Sequence, residues 1–81
     1  MPRYYFDLKD DNGVILDEEG LHLRDLEEAQ NEAARSLGGM ARDALANARG
    51  AADHMEIAVR DDDGDVMVVR FSFEISRKRQ N

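Results

Sequence analysis

Apolar and polar residues alternate from Arg3 to Lys9, with Tyr4, Phe6 and Leu8 on one side and Tyr5, Asp7 and Lys9 on the other. A period of two that includes aromatic residues predicts a half-buried strand. Asp10-Asp11-Asn12-Gly13 is a turn, after which Val14-Ile15-Leu16 resumes the apolar run, so the two segments form a hairpin. Asp17-Glu18-Glu19-Gly20 ends the second strand, and Leu21-His22-Leu23 leads toward a helix. Over residues 26–48 the period becomes helical. At 100° per residue, Leu26, Ala29, Ala33, Leu37, Met40, Ala41, Ala44 and Ala48 share one face. Asp25 can cap the first free amides, Glu28 stands at the capping-box position and Gly50 can end the helix. Gly38-Gly39 falls on the side away from the apolar stripe, where a kink or a second helix approaching in a dimer would use it. Met55, Ile57 and Val59 alternate again, the run from Asp61 to Asp65 turns, and Met67, Val69, Phe71, Phe73 and Ile75 line one face of a long last strand.

The two hairpins are built alike. Phe6-Asp7-Leu8-Lys9-Asp10-Asp11-Asn12-Gly13 matches Ile57-Ala58-Val59-Arg60-Asp61-Asp62-Asp63-Gly64 in spacing and chemistry. Residues opposed across strands share a face, which predicts Leu8 opposite Leu16 and Val59 opposite Met67. Both pairings call for three-residue loops ending in Gly. The expected fold class is α+β: a β-β-α-β-β chain whose antiparallel four-stranded sheet carries one long helix on one face. Residues 1–76 form that single small domain, and the basic residues 77–81 form a flexible tail.

Composition narrows the picture. Leu, Ile, Val and Phe number 18 of 81 residues and Ala contributes 10 more, so the core is one thin helix–sheet layer with little room for a deep catalytic cavity. The absence of cysteine excludes disulfides, thiolate metal sites and a Cys nucleophile. No apolar run of signal-peptide or membrane-spanning length is present, which makes a cytoplasmic protein the expectation. The formal charge of −7 argues against nucleic acid as the principal partner. Much of this acidity sits in turns, where Asp and Asn bond their own backbone.

The candidate chemistry is sparse. A calcium loop ending on Gly13 or Gly64 would place Leu8 or Val59 at its first ligand position, and neither supplies a side-chain oxygen. His22 and His54 lack a third ligand at metal-site spacing, and Ser36, Ser72 and Ser76 have no activating motif around them. No cofactor and no catalytic residue is assigned. Arg35, Arg42 and Arg49 recur every seven residues on the outer helix face; with the tail they offer a weak nucleic-acid contact as an alternative. The stronger candidate is the open sheet face, where Tyr5 would lie near Ala58, Val66 or Val68 if the hairpins are neighbours.

The opening Met1-Pro2-Arg3-Tyr4-Tyr5-Phe6-Asp7-Leu8, then Asp11-Asn12-Gly13 and Asp17-Glu18-Glu19-Gly20, resembles a family of short bacterial proteins. That family is an uncharacterised domain of unknown function, common in rhizobia and their relatives. The likeness continues through the Ala-rich helix and the Ile57-Ala58-Val59 and Asp63-Gly64 hairpin. His often stands in such proteins where Asp7 stands here, so the resemblance implies no ligand role for that position. It implies no activity, cofactor or site. The expected function is a non-enzymatic protein-interaction or regulatory module, with a structural homodimer also open.

Overall fold

The computed structural model describes residues 1–47 and 52–79. Five strands and one helix follow in the order β1 (Arg3–Asp10), β2 (Gly13–Ile15), β3 (Leu21–His22), α1 (Leu26–Ala46), β4 (Ala52–Asp61) and β5 (Gly64–Glu74). The sheet is antiparallel and ordered β2-β1-β4-β5, with β3 also paired to β1. The expected α+β fold, a helix packed on an antiparallel sheet, is the one observed, and the hairpins are indeed neighbours. The fifth strand is the addition. Leu21-His22 lies along Arg3-Tyr4, and Leu23 N–H donates to the Pro2 carbonyl at 3.1 Å. A two-residue strand has too few positions for a period to reveal it.

Both turns use one device. The Asp10 carboxylate accepts from Asn12 N–H at 2.7 Å, and Asp61 accepts from Asp63 N–H at 2.8 Å. These local bonds hold each turn shut. The loops have two residues rather than three, because Gly13 pairs with Asp10 and Gly64 with Asp61. Val59 meets Met67 as the pleat predicts, through a register shift between Val59 and Arg60. The first hairpin departs from its predicted register: Leu8 opposes Ile15, not Leu16. Every residue of β2 is exposed, so no buried face selects one register there, whereas the inward side of β5 packs on the core.

Asp25 caps α1, accepting from Glu28 N–H at 2.9 Å. The reciprocal half of the capping box is displaced by one residue. Glu28 accepts from the backbone N–H and the Nε of Arg24, at 3.3 and 2.8 Å. That contact with Arg24 holds the Glu28 carboxyl below its usual range. Ala29, Ala33, Leu37 and Ala41 are buried, so the small residues of the stripe bring α1 close to β4 and β5, the strands over which it lies. The core is Tyr4, Ala29, Ala33, Leu37, Met55, Ile57 and Val59, flanked by Phe6, Leu8, Leu23, Met40, Val66, Met67 and Phe71 among others. The described part of α1 ends at Ala46 with Asn47 as its cap; Ala48, Arg49 and Gly50 lie outside the described residues.

The helix runs unbroken through Gly38-Gly39, and a Cβ built on either meets nothing within 4 Å. Replacing both with Ala should therefore stabilise the fold, by about 0.5–1 kcal/mol for each site. Urea unfolding measures it; a lower midpoint would show that these glycines serve a contact outside the monomer.

Candidate functional site

The outer edge of β1 is paired in two pieces. Arg3-Tyr4 takes β3 and Leu8 to Asp10 takes β2, which leaves Tyr5-Phe6-Asp7 between them. Asp17 fills that gap with its side chain. Its carboxylate accepts Phe6 N–H at 3.1 Å on one oxygen, and Glu19 and Gly20 N–H at 3.1 and 3.2 Å on the other. Its own N–H donates to Asp7 at 2.9 Å. The acidic run thus stands in for a missing stretch of strand.

Asp7 is the buried charge of the molecule's described part, 5% exposed. Arg60 crosses the sheet to it, with Nε 2.9 Å from one carboxylate oxygen, and donates through Nη2 to the Asp17 carbonyl at 2.9 Å. The guanidinium carbon also sits 4.4 Å from the centre of the Tyr5 ring, a cation–π distance. The Asp7 contact strengthens the hold of Arg60 on its proton. Burial pushes the Asp17 carboxyl upward. The N–H groups of Gly20, Phe6 and Glu19 and the Arg60 charge outweigh that, and hold it below its ordinary value of 3.8.

Gly20 lets the loop close. Its φ is +71°, and an added Cβ would lie 2.9 Å from the Tyr4 carbonyl oxygen and 3.0 Å from the Arg3 and Tyr5 side chains. Arg3 fastens the same loop from outside, donating to the Glu19 carbonyl at 3.0 Å and to His22 Nε2 at 2.8 Å. Since Arg only donates, His22 carries its proton on Nδ1, which faces the Met1 carbonyl at 3.3 Å. His54 lies 3.2 Å from Asp11. Among the described residues no three His, Asp or Glu side chains are arranged to hold a metal ion. The carboxylates of Asp7 and Asp17 are engaged with backbone amides and Arg60, and what this cluster does chemically is hold the loop.

The residues singled out from sequence are dispersed. Tyr5 is half-buried under Arg60, Ala58 is buried, and Val66 packs against the core beside the register shift. Val68, 44% exposed, is the member of that group left on the surface. Arg35 pairs with Glu32 at 2.7 Å, Arg42 is exposed, and Arg49 lies outside the described residues. Arg77, Lys78 and Arg79 are exposed. Among the described residues no helix is long and apolar enough to cross a membrane.

The feature missed from sequence lies at β2. Val14, Ile15 and Leu16 are 55, 68 and 63% exposed, three consecutive apolar side chains on a sheet edge. Ile15 shares a face with Leu8, and α1 lies over β4 and β5. Phe6, Leu8, Ile15 and Leu16 accordingly line an open hollow of about 440 Å³, rimmed by Asp17, Glu18 and Glu19. The apolar run itself was visible in the sequence; its exposure depends on where the helix settles.

Residues 3–72 match a protein family described as Domain of unknown function (DUF6894). No curated protein and no solved structure matches the chain.

Proposed function

The chain belongs to that family of unknown function, and from this premise we propose that it is a non-enzymatic interaction module. Its contact surface is the β2 edge, which takes an extended apolar segment of a partner protein with basic residues beside it. The observation that carries this reading is the exposure of Ile15 and Leu16 in the lining of the hollow, with Val14 exposed on the same edge. Contiguous apolar surface rimmed by charge is the usual mark of a protein contact, and an edge strand offers free backbone groups to an added strand. The carboxylates at the rim favour Lys or Arg in the incoming segment. Tyr5 and Val68, on the opposite sheet face, are secondary to it.

Selection of peptides from a random displayed library against the immobilised protein tests the proposal. Enriched sequences should combine apolar residues with Lys or Arg. Ile15→Asp should weaken their binding by roughly tenfold or more, while Val68→Asp leaves it unchanged. Peptides that bind Ile15→Asp as well as the parent protein would refute the assignment. So would a turnover by the purified protein abolished by one point substitution.

A further inference from the structure

The sheet has a second edge, and it is much longer. β5 spans eleven residues, Gly64–Glu74, and among the described residues no strand pairs with its outer side. A long edge bearing apolar side chains is a template for another strand. Here Val69, Phe71, Phe73 and Ile75 on the helix side are half-buried, with the Phe71 and Phe73 rings 5.9 Å apart. A neighbouring strand would complete their burial.

We infer that β5 pairs antiparallel with β5 of a second copy, on a two-fold axis through Ser72. This goes beyond the β2 reading and is independent of it. The charges of the strand choose both the occupant and the register. Pairing about Ser72 sets Arg70 opposite Glu74 of the second copy and Glu74 opposite its Arg70, two ion pairs related by the symmetry. The same register sets Phe71 against Phe73 of the second copy, and Val69 against its Ile75. Asp65 then lies at the end where the basic Arg77-Lys78-Arg79 segment of the other chain arrives. Moving the axis to Arg70 would oppose two arginines, and moving it to Phe71 would remove the ion pairs.

Arg70 is available for this contact. Its side chain is 74% exposed and uses Nε for Glu56 at 2.7 Å; a guanidinium has further donors for a second carboxylate. The axis keeps like faces together, so both helices lie on one side of a continuous sheet ordered β2-β1-β4-β5-β5-β4-β1-β2. The two β2 edges remain at its ends.

Cross-linking reads the register directly, because the chain has no cysteine of its own. In Ser72→Cys the two thiols face each other across a pair whose Cα atoms are about 4.5–5.5 Å apart, within disulfide reach. In Ser76→Cys they are roughly 26 Å apart along the strands. Mild oxidation should therefore link Ser72→Cys into a dimer and leave Ser76→Cys unlinked. Sedimentation of the unmodified protein should give twice the 9.2 kDa chain mass at high concentration. Glu74→Arg opposes two arginine pairs and should weaken the dimer roughly 10- to 100-fold. An equimolar mixture of Glu74→Arg with Arg70→Glu should restore association, and circular dichroism checks that each variant folds. A monomer at millimolar concentration overturns the inference, as does a dimer in which Ser76→Cys cross-links as readily as Ser72→Cys.

Discussion

Gly20→Ala should lower stability by about 3 kcal/mol, a large effect for the addition of one methyl group. Two costs add. A side chain at φ +71° carries a penalty of roughly 1–2 kcal/mol. The new Cβ would also stand 2.9 Å from the Tyr4 carbonyl oxygen, which is backbone of a buried strand residue and has no rotamer to escape by. The loop then lifts from β1, and the bonds from Asp17 to Phe6, Glu19 and Gly20 N–H weaken with it. Urea unfolding should show a lower midpoint at unchanged slope. A loss below about 1 kcal/mol would show that the loop does not press on β1 as described.

The second large effect comes from Asp17 itself. Asp17→Ala removes the acceptor of three backbone amides, and each charge-assisted bond contributes about 1 kcal/mol or more. Part of this returns through water on the exposed side of the loop, so a loss of about 2–3 kcal/mol is expected. The effect depends on pH with a definite sign. The folded-state pKa of Asp17 lies below its ordinary 3.8, so the folded state binds its proton less readily than the unfolded chain. Its contribution is complete above the unfolded value. It declines as pH falls below that value and is gone once pH has passed through the folded one. Asp17→Asn should therefore flatten the acid limb of the stability–pH curve, and an unchanged limb would contradict the bonding described.

Local features of this fold were legible in the chain. The alternation in β1, the stripe of α1, the Asp25 cap and the aspartate turns rest on residues within a few positions of one another, and their chemistry is complete at that range. The Val59–Met67 register was legible because β5 has a core face to satisfy. The Leu8–Leu16 pairing failed because β2 has none. The Asp7–Arg60 bond was hidden for another reason: it exists only because β1 lies beside β4, and strand order is set by packing across 53 positions of sequence. The same neighbour relation buried Ala58 and laid Arg60 over Tyr5, which dispersed the patch expected on the open face. The exposed lip at β2 depends on α1 settling over β4 and β5, and no local pattern specifies that.

These contacts give the acidity of the chain a structural meaning. Asp10 and Asp61 close turns, Asp25 caps a helix, Asp7 anchors Arg60, and Asp17 completes the edge of β1. Recognition, in the reading proposed above, would fall to the apolar edges, β2 for a partner segment and β5 for a second copy.

Whether the acidic cluster is a fastener or a ligand site is decided by the Asp17 carboxyl carbon, followed by carbon-13 NMR through an acid titration with and without millimolar calcium. A fastener titrates below 3.8, in step with the loss of protection at the Phe6, Glu19 and Gly20 amides, and ignores the cation. A midpoint at or above that value, or one moved by calcium, would contradict the structural role assigned to it.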